Sequence, residues 1–319
     1  PDDPMTGSDG RQTALIEDFD PCYLPGGGFV FVSTRCQAYG RCHAGRYAPS
    51  YVLYRADRDG KSIERISFGE VNEWEPSVLP DGRIVFCRWD YINRDNQPFE
   101  GLWACRPDGT NVVHFYGNYT RDPCMISEPR AIPGSHKVVA TACGHHCYTA
   151  GSIIVIDPDN GQDGQSPIER VTPEVPLPEM EGWPQENYAT PWPLSEQLFL
   201  VAYAPDPLGW GRPAPRPNGY GIYLIDTLGG RELIYRDPQN SSFSPIPLRP
   251  RPVPPVLAST VRHDTDEGVF TVLDVYQTRP DIAAGIRRGS VRELRVIRIY
   301  PQPTPGRPFS SAVANEVVK

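Results

Sequence analysis

The hydrophobic positions of this chain fall in short runs, not along long helical faces. Phe29-Val30-Phe31-Val32, Ile84-Val85-Phe86 and Val138-Val139-Ala140 each follow a tight turn, at Gly26-Gly27-Gly28, Asp81-Gly82 and Gly134-Ser135, and Leu198-Phe199-Leu200-Val201 is a fourth such run. Runs this short, bounded by turn residues, read as strands. A variable loop follows each, and then a third strand: Tyr51-Val52-Leu53-Tyr54, Leu102-Trp103-Ala104, Ile153-Ile154-Val155-Ile156 and Ile222-Tyr223-Leu224-Ile225. Beyond a second turn (Asp59-Gly60, Asp108-Gly109, Gly229-Gly230) comes a fourth strand, as in Ile63-Glu64-Arg65-Ile66, Val112-Val113 and Leu233-Ile234-Tyr235. Gly and Asp suit these turns because they tolerate positive φ.

A proline sets the register of the repeat. Phe19-Asp20-Pro21, Trp74-Glu75-Pro76, Ser127-Glu128-Pro129, Ala189-Thr190-Pro191 and Phe243-Ser244-Pro245 align, with anchors 53–62 residues apart. Four strands per unit of about 50 residues predict an all-β fold, a β-propeller of four-stranded antiparallel blades, about five to six in number. The ends divide the chain. Residues 1–17 form an N-terminal extension in which Asp9–Leu15 reads as the outer strand of an incomplete or ring-closing blade. Residues 18–300 are the propeller, with Val269–Leu273 and Val291–Ile299 as strands of the last unit, and residues 301–319 are a tail. The proline-rich stretches 204–219 and 245–255 read as irregular segments.

Composition narrows the class. With 37 prolines and 29 glycines in 319 residues, a helical bundle is excluded, since interior prolines break helices. A hydrophobic share of 39% argues against disorder. The net charge of −8 argues against nucleic acid as a partner. No apolar run approaches the ~18 residues of a membrane span. The chain opens on Pro1 and holds eight cysteines, an even number, which together read as a mature or excised product from a periplasmic or extracellular site. Cytosolic residence with buried thiols is the alternative.

The repeat also places the chemistry. The residues before the anchoring prolines are Asp20, Glu75, Glu128, Thr190 and Ser244. If each proline opens an inner strand, the three acids form an arc of carboxylates at one mouth of the central channel. The loops between second and third strands, which share that face, add Arg35–His43 and Cys143-Gly144-His145-His146-Cys147. Carboxylate, imidazole and thiolate are transition-metal ligands, so Asp20, Glu75 and Glu128 with His43, His145 and His146 are candidates to hold a metal. The plain structural reading of the acids is that they bond neighbouring backbone. Cys36 with Cys42, and Cys143 with Cys147, are candidate disulfides stapling long loops, while Cys87 and Cys105 either pair or remain core thiols. His114, His136 and His263 read as surface residues, and Asp157–Asp163 as a solvated turn with only a faint calcium-loop look. No Cys-x-x-Cys-His signature attaches haem covalently, no serine elbow or phosphate loop is present, and no catalytic residue is assigned.

One family shares these strings. Asp18-Phe19-Asp20-Pro21-Cys22-Tyr23-Leu24-Pro25, Arg41-Cys42-His43, Asn72-Glu73-Trp74-Glu75-Pro76-Ser77-Val78, Asp81-Gly82-Arg83-Ile84-Val85, Ile132-Pro133-Gly134-Ser135-His136-Lys137, Ala150-Gly151-Ser152-Ile153 and Arg288-Gly289-Ser290-Val291-Arg292-Glu293-Leu294-Arg295-Val296 resemble the propeller region of hydrazine synthase alpha-subunit-like proteins. In that family c-type haem domains follow the propeller, and propeller residues approach a haem and a nearby zinc ion. The resemblance implies a secreted multi-haem redox protein whose propeller supplies Asp20, His145 and His146 to zinc or to a haem held by an adjacent domain or subunit. If an enzyme, it would be an oxidoreductase. The competing expectation is a non-catalytic TolB-like scaffold or binding propeller that mediates protein–protein contacts.

Overall fold

A computed structural model describes residues 5–6, 12–14, 16–36, 38, 49–69, 72–90, 98–211, 216–278, 280–299 and 316–318. Four consecutive four-stranded units are formed, each a meander of antiparallel neighbours. They are β3 (Asp18–Tyr23), β4 (Phe29–Ser33), β5 (Val52–Ala56) and β6 (Glu64–Arg65); β7 (Asn72–Val78), β8 (Ile84–Trp89), β9 (Glu100–Cys105) and β10 (Val113–Tyr116); β11 (Met125–Ala131), β12 (Val138–Cys143), β13 (Gly151–Ile156) and β14 (Ile168–Arg170); and β15 (Asn187–Pro193), β16 (Leu198–Ala204), β17 (Gly221–Asp226) and β18 (Arg231–Tyr235). They are called blades one to four below. Isolated bridges at Tyr51–Asn72, Met125–Glu100 and Gly151–Tyr188 stitch the third strand of one blade to the first of the next.

Because the second and third strands are covered on both faces, they read as apolar runs rather than as alternating patterns. Val30, Val32 and Leu53 of blade one pack on Ile84, Phe86 and Cys105 of blade two. The other face of blade two, with Val85, Cys87 and Leu102, meets Val138, Ala140 and Ile154. Val139, Ile153 and Val155 of blade three meet Phe199, Val201 and Ile225 of blade four. Each Val, Leu, Ile or Phe among them contributes about 1.5–3 kcal/mol by leaving water. On the free side of blade four Leu198, Leu200, Ile222 and Leu224 are only half-buried.

The anchoring prolines do not open the inner strands. Pro76, Pro129 and Pro191 sit in the middle of β7, β11 and β15, and the register of each inner strand slips there. The residue before every anchor lies in the left-handed region, with φ of 52° at Asp20, 53° at Glu75, 57° at Glu128, 48° at Thr190 and 51° at Ser244. This costs an L-residue roughly 1–2 kcal/mol. The bulge is held because each of the first four of these side chains accepts a hydrogen bond from the equivalent N–H one blade on. The Glu75 N–H donates to Asp20 Oδ2 at 3.3 Å, the Glu128 N–H to Glu75 Oε2, the Thr190 N–H to Glu128 Oε2 at 2.5 Å, and the Ser244 N–H to Thr190 Oγ1 at 3.0 Å. The Thr141 hydroxyl adds a second donor to Glu128 Oε2 at 2.6 Å.

A fifth anchor is therefore latched at Ser244, but among the described residues no blade follows it. Pro247, Pro250, Pro252, Pro254 and Pro255 deprive the next stretch of ladder donors. Val269–Leu273, expected as a strand, is exposed coil, with Leu273 at 96%. Of Val291–Ile299 only β19 (Ile297–Ile299) is a strand, and it pairs with β20 (Glu316–Val318). A single helical turn, α1 (Pro280–Ala283), lies between. At the other end β2 (Gln12–Ala14) pairs with β1 (Met5–Thr6) and not with a C-terminal blade, so the expected ring closure by this strand is not formed.

In place of a fifth blade, residues 251–260 cross from blade four to blades one and two as a strap. The Arg251 guanidinium lies 4.8 Å from the centre of the Trp192 ring. Val256 covers Gly26, and the Pro255 carbonyl covers Gly82 so closely that a Cβ there would fall 2.4 Å from it. Arg106 Nη2 donates to the Ala258 carbonyl at 2.6 Å, while the Thr260 N–H at 2.6 Å and the Ser259 hydroxyl at 3.1 Å donate to Asp108 Oδ2. Burial alone would raise the Asp108 pKa, but these bonds and those from Thr110 outweigh it and hold the carboxyl below its ordinary range.

Two outcomes follow from the latch and the strap. Burial, foremost, raises the pKa values of Asp20, Glu75 and Glu128, with carboxylate repulsion adding to it at Glu75, and Glu128 is pushed up to about 7. A raised acid binds its proton more tightly when folded, so its contribution is present at low pH and is lost as pH climbs from about 4.5 through 7. Glu128→Gln, which keeps an acceptor, should flatten that decline in urea unfolding midpoints, whereas Glu128→Ala should cost about 1–3 kcal/mol by orphaning a buried donor. An unchanged slope in Glu128→Gln would refute the assignment. Asp108→Ala should loosen the strap and speed tryptic cleavage after Arg262 severalfold. Equal cleavage rates would show that Asp108 does not hold it.

Candidate functional site

The structure divides the sequence-derived candidates into two groups at different places. Asp20, Glu75 and Glu128 are the latch acceptors of the inner strands. They line the middle of the blades, not a mouth, and each already receives a backbone N–H. His145 and His146 occupy the turn between β12 and β13, at the end opposite the strap. His43 and Cys42 lie outside the described residues. Among the described residues one group of three His, Cys, Asp or Glu side chains brings its ligand atoms within 4.8 Å, and it is His136, Asp157 and Asp159. Asp20, His145 and His146 thus do not converge on one three-ligand centre.

That surface group sits at a hairpin turn. His136 Nε2 is 3.0 Å from Asp157 Oδ1 and 3.2 Å from Asp159 Oδ2, while Lys137 Nζ lies 3.9 Å from the other Asp157 oxygen. With Lys137 supplying a cation, the group is a solvated ion-pair cluster. Asp157 caps the short 3-10 turn Pro158–Asn160, and Asp163 accepts the Tyr119 N–H at 2.7 Å, so the Asp157–Asp163 stretch serves the fold.

The two histidines are each oriented by a carboxylate on another element. His145 Nδ1 meets Glu100 Oε1 at the start of β9, where the carboxylate is 2% exposed. His146 Nδ1 is 2.5 Å from Glu179 Oε1, and its backbone N–H donates to Glu179 Oε2 at 3.1 Å. Glu179 comes from the segment joining blades three and four and has φ 71°. The imidazoles stand nearly perpendicular, 84° apart with centroids at 4.6 Å. The edge of Trp89 meets His145 at 4.9 Å, and Trp210 stacks on His146 at 3.7 Å and 7°. Two rings are thereby locked in orientation, which a pair of adjacent histidines in a loop would not otherwise be.

The electrostatics of the first pair follow from burial and contact. Burial alone would lower the His145 pKa, but the Glu100 hydrogen bond and charge outweigh it and raise the value. Burial raises Glu100 in turn, despite its histidine partner. Both shifts have one meaning: the pair holds its shared proton more firmly than either group in water.

The thiols near this site are protonated. Burial pushes Cys124 up to about 12 and Cys147 up to about 11, and Cys143 well above its usual value. The expected Cys143–Cys147 disulfide is not formed: both are free, with Cys143 Sγ donating to the Thr141 carbonyl and Cys147 Sγ to the Gly144 carbonyl. Cys36 is likewise free and donates to the Ser50 carbonyl at 3.2 Å. Cys87 and Cys105 oppose Leu102 and Ile84 across the β8–β9 pair and enter different cores, so they remain core thiols.

Glu100, Glu179, Trp89 and Trp210 are the members that sequence reasoning missed. For Glu100 a signal existed. Strand register aligns it with Val52, Gly151 and Gly221 at the first positions of the equivalent third strands, so a carboxylate stands where the other blades have an apolar residue or glycine. Glu179 lies in a non-repeating connection and carried no such signal.

No family model matches the chain, and no curated protein matches it. Among solved structures, the hydrazine synthase of Kuenenia stuttgartiensis superposes with a TM-score of 0.51 at 19% identity, over 68% of this chain and 29% of that one. TolB from Acinetobacter baumannii gives 0.40 at 11% identity, over 74% and 60%. A putative TolB from Agrobacterium tumefaciens gives 0.34 at 19%, over 50% of each chain. The chain thus spans less than a third of the hydrazine synthase chain. At such identities the likeness is one of fold, and it agrees with the strand order: the chain is an all-β protein of propeller-like architecture.

Proposed function

We propose that this propeller is the platform of a redox assembly and presents His145 and His146 to a metal ion, or to a haem, held with help from an adjoining domain or subunit. The observation that carries the reading is the carboxylate on each Nδ1. A carboxylate bound to the Nδ1–H of an imidazole fixes its tautomer and raises the donor strength of Nε2, the arrangement found behind metal-binding histidines. Imidazole nitrogens suit zinc, and iron as well. Two donors are fewer than a zinc centre takes, and the carboxylates beside them are already engaged by the rings, so further ligands would come from the partner. Bound there, the ion or haem would supply Lewis-acid or electron-transfer chemistry. The chain's own part would be to orient two imidazoles and to hold a proton between His145 and Glu100. A periplasmic or extracellular location belongs to the same proposal, although the free thiols of Cys143 and Cys147 remove one argument for it.

A second reading, a non-catalytic binding propeller, is favoured by the latch, which assigns Asp20, Glu75 and Glu128 to holding blades together. Equilibrium dialysis against Zn²⁺, and Co²⁺ absorption spectra, separate the two. The first reading expects saturable binding that His145→Ala and His146→Ala abolish, and that Glu100→Gln weakens about 10–100-fold. Binding that is unaffected by all three variants, or none at all, would leave the scaffold reading.

A further inference from the structure

We propose that the recess between blades three and four binds an alkylammonium group, such as a lysine side chain, at a site separate from the histidine pair. The recess encloses about 320 Å³ at the end of the blades that carries His145 and His146. Its lining includes Val175, Pro176, Trp183 and Pro205, with Glu174 and Glu186 at the rim. The apolar members come from the segment that joins the blades and from the residue after β16, and Val175 is fully buried. Proline walls and the tryptophan ring offer apolar surface, which suits a methylene stem, while the ring can face a cation.

The rim sets the sign of the charge. Glu186 is already satisfied: Arg231 Nη1 lies 3.2 Å from its Oε2, and the Tyr203 hydroxyl donates to it. That arginine lies 4.1 Å from the centre of the Tyr203 ring, so a cation between carboxylate and aromatic face is already one element of this rim. Glu174 is the counterpart with no basic partner among the described residues. It accepts only the Tyr188 hydroxyl at 3.1 Å, and that oxygen in turn accepts from Arg231 at 2.9 Å. The relay orients the Glu174 carboxylate without neutralising it. Arg170, whose Nη2 donates to the Val175 carbonyl at 2.5 Å, is itself paired with Glu181 at 3.1 Å, so Glu174 and Glu186 against Arg231 leave the rim negative, which repels anions, and among the described residues no third ligand atom converges to make a metal centre.

The site does not use the histidines, so it stands or falls apart from the metal reading. The test follows the indole N–H resonance of Trp183, assigned with Trp183→Phe, on titration with n-butylammonium, with neutral 1-pentanol, and with a lysine-centred glycine pentapeptide. Saturable shifts with butylammonium, at least fivefold weaker in Glu174→Gln and unchanged in Glu64→Gln, are expected. A pentapeptide binding tenfold more tightly than the amine would assign the site to a partner's lysine, and equal affinity would assign it to a free amine. No saturable shift, or equal binding of pentanol, would overturn the proposal. Zinc binding retained in Glu174→Gln would show that this failure, if it came, left the histidine reading untouched.

Discussion

A side chain that reaches one blade forward to a backbone N–H is the interaction on which this molecule depends. At each of five anchors the chain adopts a left-handed residue before proline, an unfavourable conformation, and at the last four the preceding blade's acceptor compensates for it. The strain and the bond are not separable, because the bulge is what turns the amide toward its neighbour. Where the acceptor is a carboxylate the bond is strong but the charge is enclosed. Where it is Thr190 no charge is buried, and the acidic character therefore fades along the chain.

The same economy explains why acids in an apparent channel need not be a reactive centre. Burial foremost, and at Glu75 two like charges besides, holds such a carboxyl towards its neutral form, and Arg130 offsets only part of that. The histidine end is different in kind. There the carboxylates point at titratable rings rather than at backbone, and the rings are set by aromatic neighbours from two other blades.

How much of this could be read from the chain depends on whether the determinant repeats. Strands two and three of each blade are apolar runs flanked by turn residues, so their existence and order were legible. The proline anchors were legible as a period but not as mid-strand bulges, because a pre-proline residue is ordinarily extended and nothing local marks Glu75 or Glu128 as left-handed. The failure of Val269–Leu273 to form a strand is not a property of that segment, which has a strand's composition. It lacks the preceding hairpin, whose place is taken by Val253-Pro254-Pro255-Val256-Leu257. Glu100 stood out against its repeat equivalents, whereas Glu179 reaches His146 from a connection with no counterpart in the other blades.

The strap alters how the whole array can come apart. Stacked repeats that touch only their neighbours unravel from their ends, since a terminal unit has one interface to lose. Here blade four is tied through Arg251, Val256 and Asp108 to the turns of blades one and two. The first and last blades are thereby no longer independent termini. Fraying at either one must also release the crossing, so the strap couples the opening of blade four to that of blades one and two.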